Sequence, residues 1–114
     1  MSVSIIIPAY NEEKYLAKTL DRIKKQRFKD YEIIVVCNGC NDNSFNVAKK
    51  YADKVFQLKD NNVSKARNFG ANNANYRKLV FLDADVFVKN NVLEKIDNCL
   101  DIGTFFGTAK GKGK

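Results

Sequence analysis

Four apolar runs, each followed by a segment with helical periodicity, constrain the fold of this chain more than any other feature of its sequence. The runs are residues 3–7, 31–36, 54–58 and 79–82. Strands that are apolar nearly throughout are typical of parallel sheets covered on both faces. The regular alternation of strand and helix therefore predicts the α/β class, as a Rossmann-like three-layer α/β/α sandwich with a mainly parallel sheet.

The segments between the runs carry signals for four helices. Asn11 is placed to cap the first helix and Asp42 the second, while Asn61 or Asn62 opens the third and Asn90 or Asn91 the fourth. A short further strand is expected within 102–108. The predicted inward positions are Leu16, Leu20 and Ile23 in the first helix, Phe45, Ala48 and Tyr51 in the second, Val63, Ala66, Gly70 and Ala74 in the third, and Val92, Ile96 and Cys99 in the fourth.

The length of 114 residues suits one domain, which we place at residues 1–108. Residues 109–114 are expected to be a flexible basic tail, in which Lys110, Lys112 and Lys114 alternate with Gly111 and Gly113. No apolar run approaches the ~20 residues of a membrane-spanning helix, and the start of the chain lacks the pattern of a signal peptide. We therefore expect a cytoplasmic protein, with peripheral association at the inner face of the membrane left open.

The net charge of +7 favours partners that carry phosphate, such as nucleotides, nucleic acids or anionic membranes. Nucleic acid is the weakest of these, because the lysines and arginines are spread along the chain and no helix shows a clustered basic face with interleaved aromatics. The sequence contains no histidine. Any chemistry must therefore use carboxylates, lysine, tyrosine, cysteine or a metal held by oxygen ligands.

Cys37 and Cys40 have the C-x-x-C spacing of thioredoxin-like redox pairs. That fold also needs a cis-proline beside the pair, whereas the only proline here is Pro8, in the first strand. A four-ligand zinc site would need more cysteine or histidine than the chain holds. We expect no catalytic redox pair, and the odd cysteine count indicates a reducing compartment.

Ligands of open α/β sheets bind at the carboxyl ends of the strands, so the polar residues there are the candidates for a site. Tyr10 and Glu12 follow the first strand, Asn38 follows the second, and Asp83 and Asp85 follow the fourth. Two carboxylates one residue apart can bind a hard divalent cation and bridge it to phosphates. The alternative is a loop with two solvated acids, or a cap for the next helix.

Four motifs together resemble glycosyltransferase family 2, whose members share the GT-A fold. Residues 3–13 resemble the opening of that family, and residues 32–42 resemble its second strand and acidic turn. Residues 65–71, K-A-R-N-F-G-A, resemble its A-R-N-x-G helix, and residues 81–85, F-L-D-A-D, resemble its metal-binding D-x-D motif. The motifs occur in the family's order and cover roughly residues 3–90.

This resemblance implies a donor site for a UDP- or GDP-linked sugar with a divalent cation, manganese or magnesium. Asp83 would contact the ribose or the metal, Asp85 the metal itself, and Arg67 the base or the diphosphate. The donor-binding residues implied in this way are Pro8, Ala9, Tyr10, Glu12, Asn38, Lys65, Arg67 and Asp83, and the metal ligands are Asp83 and Asp85.

The chain departs from the family pattern at two places. Cys37-Asn38 replaces the usual acidic pair of the second turn, which leaves the preference for uridine open, although an amide can still pair with a base edge. The family's catalytic domain also continues well beyond the D-x-D motif, into a half that carries the acceptor site and a carboxylate base. Asp97 and Asp101 have no spacing that recommends either as this base.

We therefore expect the donor-binding half of a glycosyltransferase, with an unknown acceptor that is free or lipid-linked. The alternative is a non-catalytic nucleotide-sugar-binding module or a truncated gene product. In a GT-A fold truncated in this way, the segments 79–82 and 102–108 would expose an unpaired apolar edge. An edge of this kind recruits another chain, which predicts a two-fold homodimer.

Overall fold

The computed structural model describes residues 2–85, 93–94 and 104–106. Residues 93–94, which belong to the predicted fourth helix, are helical; its predicted inward positions Val92, Ile96 and Cys99 and the tail at 109–114 lie outside the described residues. The elements in chain order are β1 (Val3–Ala9), α1 (Glu13–Lys24), β2 (Tyr31–Asn38), α2 (Ser44–Lys49), β3 (Lys54–Leu58), α3 (Val63–Asn72), β4 (Lys78–Phe81) and β5 (Thr104–Phe106).

The five strands form one sheet in the order β3-β2-β1-β4-β5, and every neighbouring pair is parallel. Alternate residues of β1 face opposite layers: Ile5 and Ile7 pack with Leu20 of α1, whereas Ile6 packs with Ala66 of α3. The helices therefore cover both faces of the sheet. This arrangement confirms the predicted α/β class with a parallel sheet, and it explains why β1 is apolar along nearly its whole length.

The order of the strands reverses direction at β1, since β2 and β3 lie on one side of it and β4 and β5 on the other. A reversal of this kind opens a crevice between the carboxyl ends of the two strands at the switch point. In this sheet those strands are β1 and β4, so the fold itself places a binding crevice next to residues 9–12 and 82–85.

Two of the predicted helix caps are wrong. Glu12, not Asn11, occupies the N-cap position of α1, and Asn43, not Asp42, occupies that of α2. The N–H groups at the start of α1 instead reach side chains of the loop after β2, because the two loops lie side by side. The third cap is confirmed, since the Asn62 side chain accepts a hydrogen bond of 3.0 Å from the Lys65 N–H.

Helix α3 lies very close to the sheet at Gly70. A Cβ atom built there would lie 2.5 Å from Cγ2 of Ile6, so only glycine fits without a shift. Ala66 and Gly70 are buried as predicted. Val63, expected to face inward, is 44% exposed at the start of the helix, and Ala74 lies beyond its end.

The expectation that residues 79–82 form an unpaired sheet edge is wrong. Strand β4 lies between β1 and β5, with Leu79 opposite Thr104 and Phe81 opposite Phe106. The predicted short strand within 102–108 is thus confirmed, and its backbone pairs with the groups of β4 that would otherwise face solvent. None of the helices within the described ranges is long and apolar enough to cross a membrane.

A buried carboxylate joins three segments at the amino end of the sheet. Glu32 of β2 accepts a hydrogen bond of 2.6 Å from the hydroxyl of Ser4 and another of 2.6 Å from the Asn75 N–H. Lys54 Nζ lies 3.2 Å from the same carboxylate. Burial by itself would raise the pKa of Glu32, but these bonds outweigh it and lower the pKa below its usual value.

Candidate functional site

A crevice of about 310 Å³ lies at the carboxyl ends of the central strands, where the strand order reverses. Three predicted groups meet there: the loop after β1, the end of β2 and the acids after β4. Its lining residues are Pro8, Ala9, Tyr10, Glu12, Asn38, Asn61, Val63, Asp83, Ala84 and Asp85. The structure therefore brings together all the predicted site residues except Lys65 and Arg67.

The wall next to β1 is tied to the loop after β2 by a set of side-chain to backbone hydrogen bonds. Asn11 has a φ of +48°, a left-handed conformation that asparagine tolerates better than most residues. In this conformation its Oδ1 accepts hydrogen bonds from the N–H groups of Asn41, at 2.9 Å, and Asp42, at 3.2 Å. We call these contacts the loop clasp.

The loop clasp also includes hydrogen bonds in which the start of α1 donates to side chains that follow β2. The N–H of Glu12 donates to Ser44 Oγ at 2.9 Å, and the N–H of Glu13 donates to Asp42 Oδ2 at 3.2 Å. Burial by itself would raise the pKa of Asp42, but hydrogen bonds from Ser44 and Glu13 together outweigh it and hold the pKa below its usual value. The clasp thus fixes the backbone that presents Tyr10, which is 44% exposed at the mouth of the crevice.

Asn38 forms the floor of the crevice and also fixes the loop that follows β3. Its side chain is nearly buried; its Oδ1 accepts from the Asn62 N–H at 2.7 Å, and its Nδ2 lies 3.4 Å from Asn61 Oδ1. Gly39 allows the close approach of this loop, since it has a φ of +77° and a Cβ there would lie 3.2 Å from the backbone of Asn61. An aspartate at position 38 could accept from Asn62 but could not donate to Asn61.

Two lining residues, Asn61 and Val63, were missed by the sequence analysis. They follow β3, whereas the predicted site residues come from the end of the first strand, from the segments after the first, second and fourth strands, and from the third helix. The signal was present, because Asn61 comes shortly after Leu58, the last residue of the third apolar run. In a parallel sheet the carboxyl end of every strand lies at the same edge, so residues after the third strand are candidates for the same site.

Asp83 and Asp85 stand on the wall next to β4, in the turn formed by residues 83–85, which we call the D-x-D turn. The side chain of Asp83 is 41% exposed and lies 3.6 Å from Nη2 of Arg67, whereas Asp85 is nearly buried. Leu82 continues the ladder to β1 through its N–H, which donates to the carbonyl oxygen of Ile6 at 3.0 Å. The turn therefore begins directly where the sheet ends.

The two predicted cations on α3 occupy different positions. Arg67 is not among the lining residues, but it pairs with Asp83, which is one of them. Lys65 instead pairs with Asp60 at 2.8 Å on the surface, where the contact raises the pKa of Lys65 and lowers that of Asp60. Lys65 does not line the crevice, and its role in donor binding stays a prediction.

The two carboxylates fit a cation whose coordination shell is completed by water and by the phosphates of a bound nucleotide. Among the described residues, no group of three or more histidine, cysteine, aspartate or glutamate side chains could hold a metal. Magnesium-type ions keep several waters and are held by one or two carboxylates plus substrate phosphates. Asp83 and Asp85, side by side on one wall of an open crevice, supply a set of this kind rather than an all-protein cage.

Cys37 and Cys40 lie in surroundings that do not favour a reactive thiol. Cys37 is fully buried in β2, and burial, reinforced by the neighbouring Cys40, raises the pKa of its thiol to about 12. Cys40 Sγ lies 3.2 Å from the carbonyl oxygen of Ala9 and 3.4 Å from the Asn11 nitrogen, next to the loop clasp. Redox catalysis needs an accessible thiol of low pKa, so this geometry supports the prediction that the pair is not catalytic.

Comparison with known proteins gives consistent matches. Residues 4–101 match the model of the family described as glycosyl transferase family 2. Glycosyltransferase GlyA of Streptococcus pneumoniae is 33% identical over 99 residues, which cover 82% of this chain and 14% of GlyA. The uncharacterized glycosyltransferase EpsJ of Bacillus subtilis is 33% identical over 110 residues, which cover 88% of this chain and 32% of EpsJ.

Solved structures agree with these relatives. The crystal structure of residues 1–349 of S. aureus TarS in complex with UDP-GlcNAc superposes with a TM-score of 0.78 at 29% identity. The match covers 86% of this chain and 30% of that one. The chain thus spans a third or less of the length of each of these proteins.

Proposed function

Because this chain belongs to glycosyltransferase family 2 and has its GT-A fold, we propose that its crevice binds the nucleotide part of a nucleotide-sugar donor. The observation that carries this proposal is the meeting, at one switch point, of an exposed aromatic, a buried amide and two carboxylates: Tyr10, Asn38, Asp83 and Asp85. These groups suit a nucleoside diphosphate, with an aromatic face for the base and acids that bind its phosphates through a cation.

A uridine nucleotide is the first ligand to test. The TarS structure that this fold matches contains UDP-GlcNAc, and Asn38 can offer a base edge the second hydrogen of its amide. A guanosine nucleotide is the alternative, because the amide differs from the acid that the family usually carries at this turn. The sugar and the acceptor depend on residues beyond the crevice.

Each part of the crevice then has a task in transfer. Asp83 and Asp85 would hold manganese or magnesium, which when bound neutralises charge on the departing diphosphate. Arg67 orients Asp83 and adds a positive charge beside it. An acceptor hydroxyl attacks the anomeric carbon once a general base takes its proton. Since Asp83 and Asp85 are assigned to the cation, Glu12 is the remaining carboxylate among the described lining residues, and we assign it to the nucleoside.

A second candidate function is nucleotide-sugar binding without transfer, since the three carboxylates among the described lining residues are assigned to the cation and the nucleoside. Asp97 and Asp101 lie outside the described residues. The two candidates differ in one measurement, the release of nucleoside diphosphate from UDP-GlcNAc by this chain. Turnover would show that a catalytic base is present, whereas binding without turnover would favour the binding module.

Titration calorimetry tests the proposal itself. We expect UDP or GDP to bind more tightly with Mn²⁺ than with a chelator, and Asp85→Ala to remove the metal-dependent part while the protein stays folded. Asp21→Asn is a matched control, because Asp21 pairs with Lys25 on the outer surface of α1. Absence of binding by either nucleotide, with and without metal, would overturn the proposal.

Three further expectations are part of the proposal: a homodimer, a cytoplasmic location, and a peripheral site at the membrane where a lipid-linked acceptor is reached. Strand β4 is paired on both sides, so we assign the dimer interface to the outer edge of β5. Sedimentation velocity at micromolar concentration tests it. A monomer throughout the concentration range would rule it out.

A further inference from the structure

One polar side chain on the buried face of α1 contacts the D-x-D turn. Thr19 is fully buried, and its hydroxyl donates a hydrogen bond of 2.6 Å to the carbonyl oxygen of Ala84. The other buried residues of this helix face are apolar: Leu16, Leu20 and Ile23. A hydroxyl in an apolar layer is costly unless it is hydrogen-bonded, so the contact with Ala84 explains why this position carries threonine.

The carbonyl that Thr19 holds lies between the two acids of the turn. The Ala84 carbonyl belongs to the peptide group that leads into Asp85, so its direction sets where the Asp85 side chain starts. On the other side of Asp83, the Leu82 N–H is held by the Ile6 carbonyl of β1. The turn is thus fixed on one side of Asp83 by the sheet and on the other side by α1.

We propose that Thr19 is a positioning residue for the donor site. Its hydroxyl, acting through the Ala84 carbonyl, keeps Asp83 and Asp85 in the relative orientation in which both reach one cation. This inference rests on the proposed function, because it assigns Thr19 a role in binding that nucleotide and its metal. Residues that orient metal ligands in this way commonly contribute about 10–100-fold to metal affinity or activity.

Two substitutions at the same position separate the hydroxyl from the packing. Thr19→Val keeps the shape of the side chain but leaves the buried Ala84 carbonyl without this donor. Thr19→Ser removes a methyl group but keeps the hydroxyl. Ile23→Val is the control for lost stability, because it removes a methylene from the same helix face and leaves the Thr19 hydroxyl in place.

The first readout is the dissociation constant of UDP, measured with Mn²⁺ and with a chelator for all four proteins. We expect the increase in UDP affinity that Mn²⁺ causes to fall on the order of tenfold in T19V and to be retained in T19S and I23V. The inference is overturned if T19V keeps the full Mn²⁺-dependent increase in UDP affinity, or if its affinity for UDP falls equally with and without Mn²⁺. Either result would give Thr19 a purely structural role.

The second readout needs neither nucleotide nor metal. The carbonyl ¹³C resonance of Ala84 and the amide ¹⁵N resonance of Asp85 respond to the hydrogen bond on that carbonyl. We expect both to move in T19V and to stay near the wild-type positions in T19S. If they move but wild type shows no metal-dependent nucleotide binding, the proposed function fails while the contact stands. If they do not move, the inference about Thr19 fails by itself.

Discussion

At the scale of single residues, the half-buried Asn11 holds together two loops of the site. It has a left-handed backbone, and its side chain accepts from two N–H groups of the neighbouring loop. Asn11→Ala should lose both bonds and keep the unfavourable φ, which we expect to cost about 2–3 kcal/mol of unfolding free energy. Asn11→Gly loses the bonds but relieves the backbone, so urea unfolding should place it between alanine and wild type. Equal stability of all three proteins would contradict the loop clasp.

Cys37 shows how burial removes the reactivity of a residue. With a thiol pKa raised to about 12, Cys37 is almost entirely protonated at neutral pH. We expect iodoacetamide to leave Cys37 unmodified in the folded protein and to alkylate it rapidly in urea. Peptide mapping by mass spectrometry separates it from Cys40 and Cys99. Rapid labelling of Cys37 in the native protein at neutral pH would reopen the redox interpretation.

At the scale of elements, the distance between α3 and the sheet depends on one missing side chain. Gly70→Ala would place a Cβ atom 2.5 Å from Ile6 Cγ2. Overpacking of this kind should cost about 1–3 kcal/mol, measured by urea unfolding. Asn68→Ala, on the exposed side of the same helix, controls for the change in helix propensity.

Ile6→Leu gives the matched test of this clash, because leucine carries no Cγ2 branch on its Cβ. The Gly70→Ala and Ile6→Leu changes should therefore cost less together than the sum of their separate costs. Additive costs would show that the tight contact with Ile6 is not what excludes a side chain at position 70.

How well the sequence predicts an element depends on whether the signal lies within that element or in a distant partner. Apolar runs located β1, β2 and β3 well, since burial on both faces leaves a signal that needs no knowledge of the neighbours. The predicted cap of α1 was wrong because the N–H groups of Glu12 and Glu13 reach Ser44 and Asp42, about 30 positions away. The pairing of β4 with β5 failed for the same reason, as a three-residue strand carries little signal until its partner is known. Thr19 also escaped notice, because its partner lies 65 positions away.

At the scale of the whole molecule, Glu32 links stability to pH. It joins β1, β2 and the segment before β4, and its pKa is lowered in the folded state. A lowered pKa means that the unfolded chain binds the proton more tightly. The stabilisation is therefore complete above the usual glutamate pKa of about 4.3, and it is lost as the pH falls through the lowered value.

Glu32→Gln should accordingly lower the unfolding free energy by about 2 kcal/mol at pH 7 and by much less in acid. Urea unfolding over a series of pH values measures both limits. Asp21→Asn, which alters a surface pair on α1, should leave the pH profile nearly parallel to that of wild type. A Glu32→Gln profile with the wild-type slope would show that this carboxylate does not couple protonation to folding.

Because β1 pairs with both β2 and β4, its position in the sheet determines the order in which the strand pairs can form during folding. Among the described strands β1 is synthesised first, and its ladder with β2 needs only the next strand, whereas its ladder with β4 must wait for most of the described chain. Closing the longer loop costs more entropy and is slower. Since the crevice lies between β1 and β4, a nascent chain cannot hold a ligand until that late ladder has formed. A nucleotide that binds there would then hold together the pairing that assembles late, and so act on the final stages of maturation as well as on the finished protein.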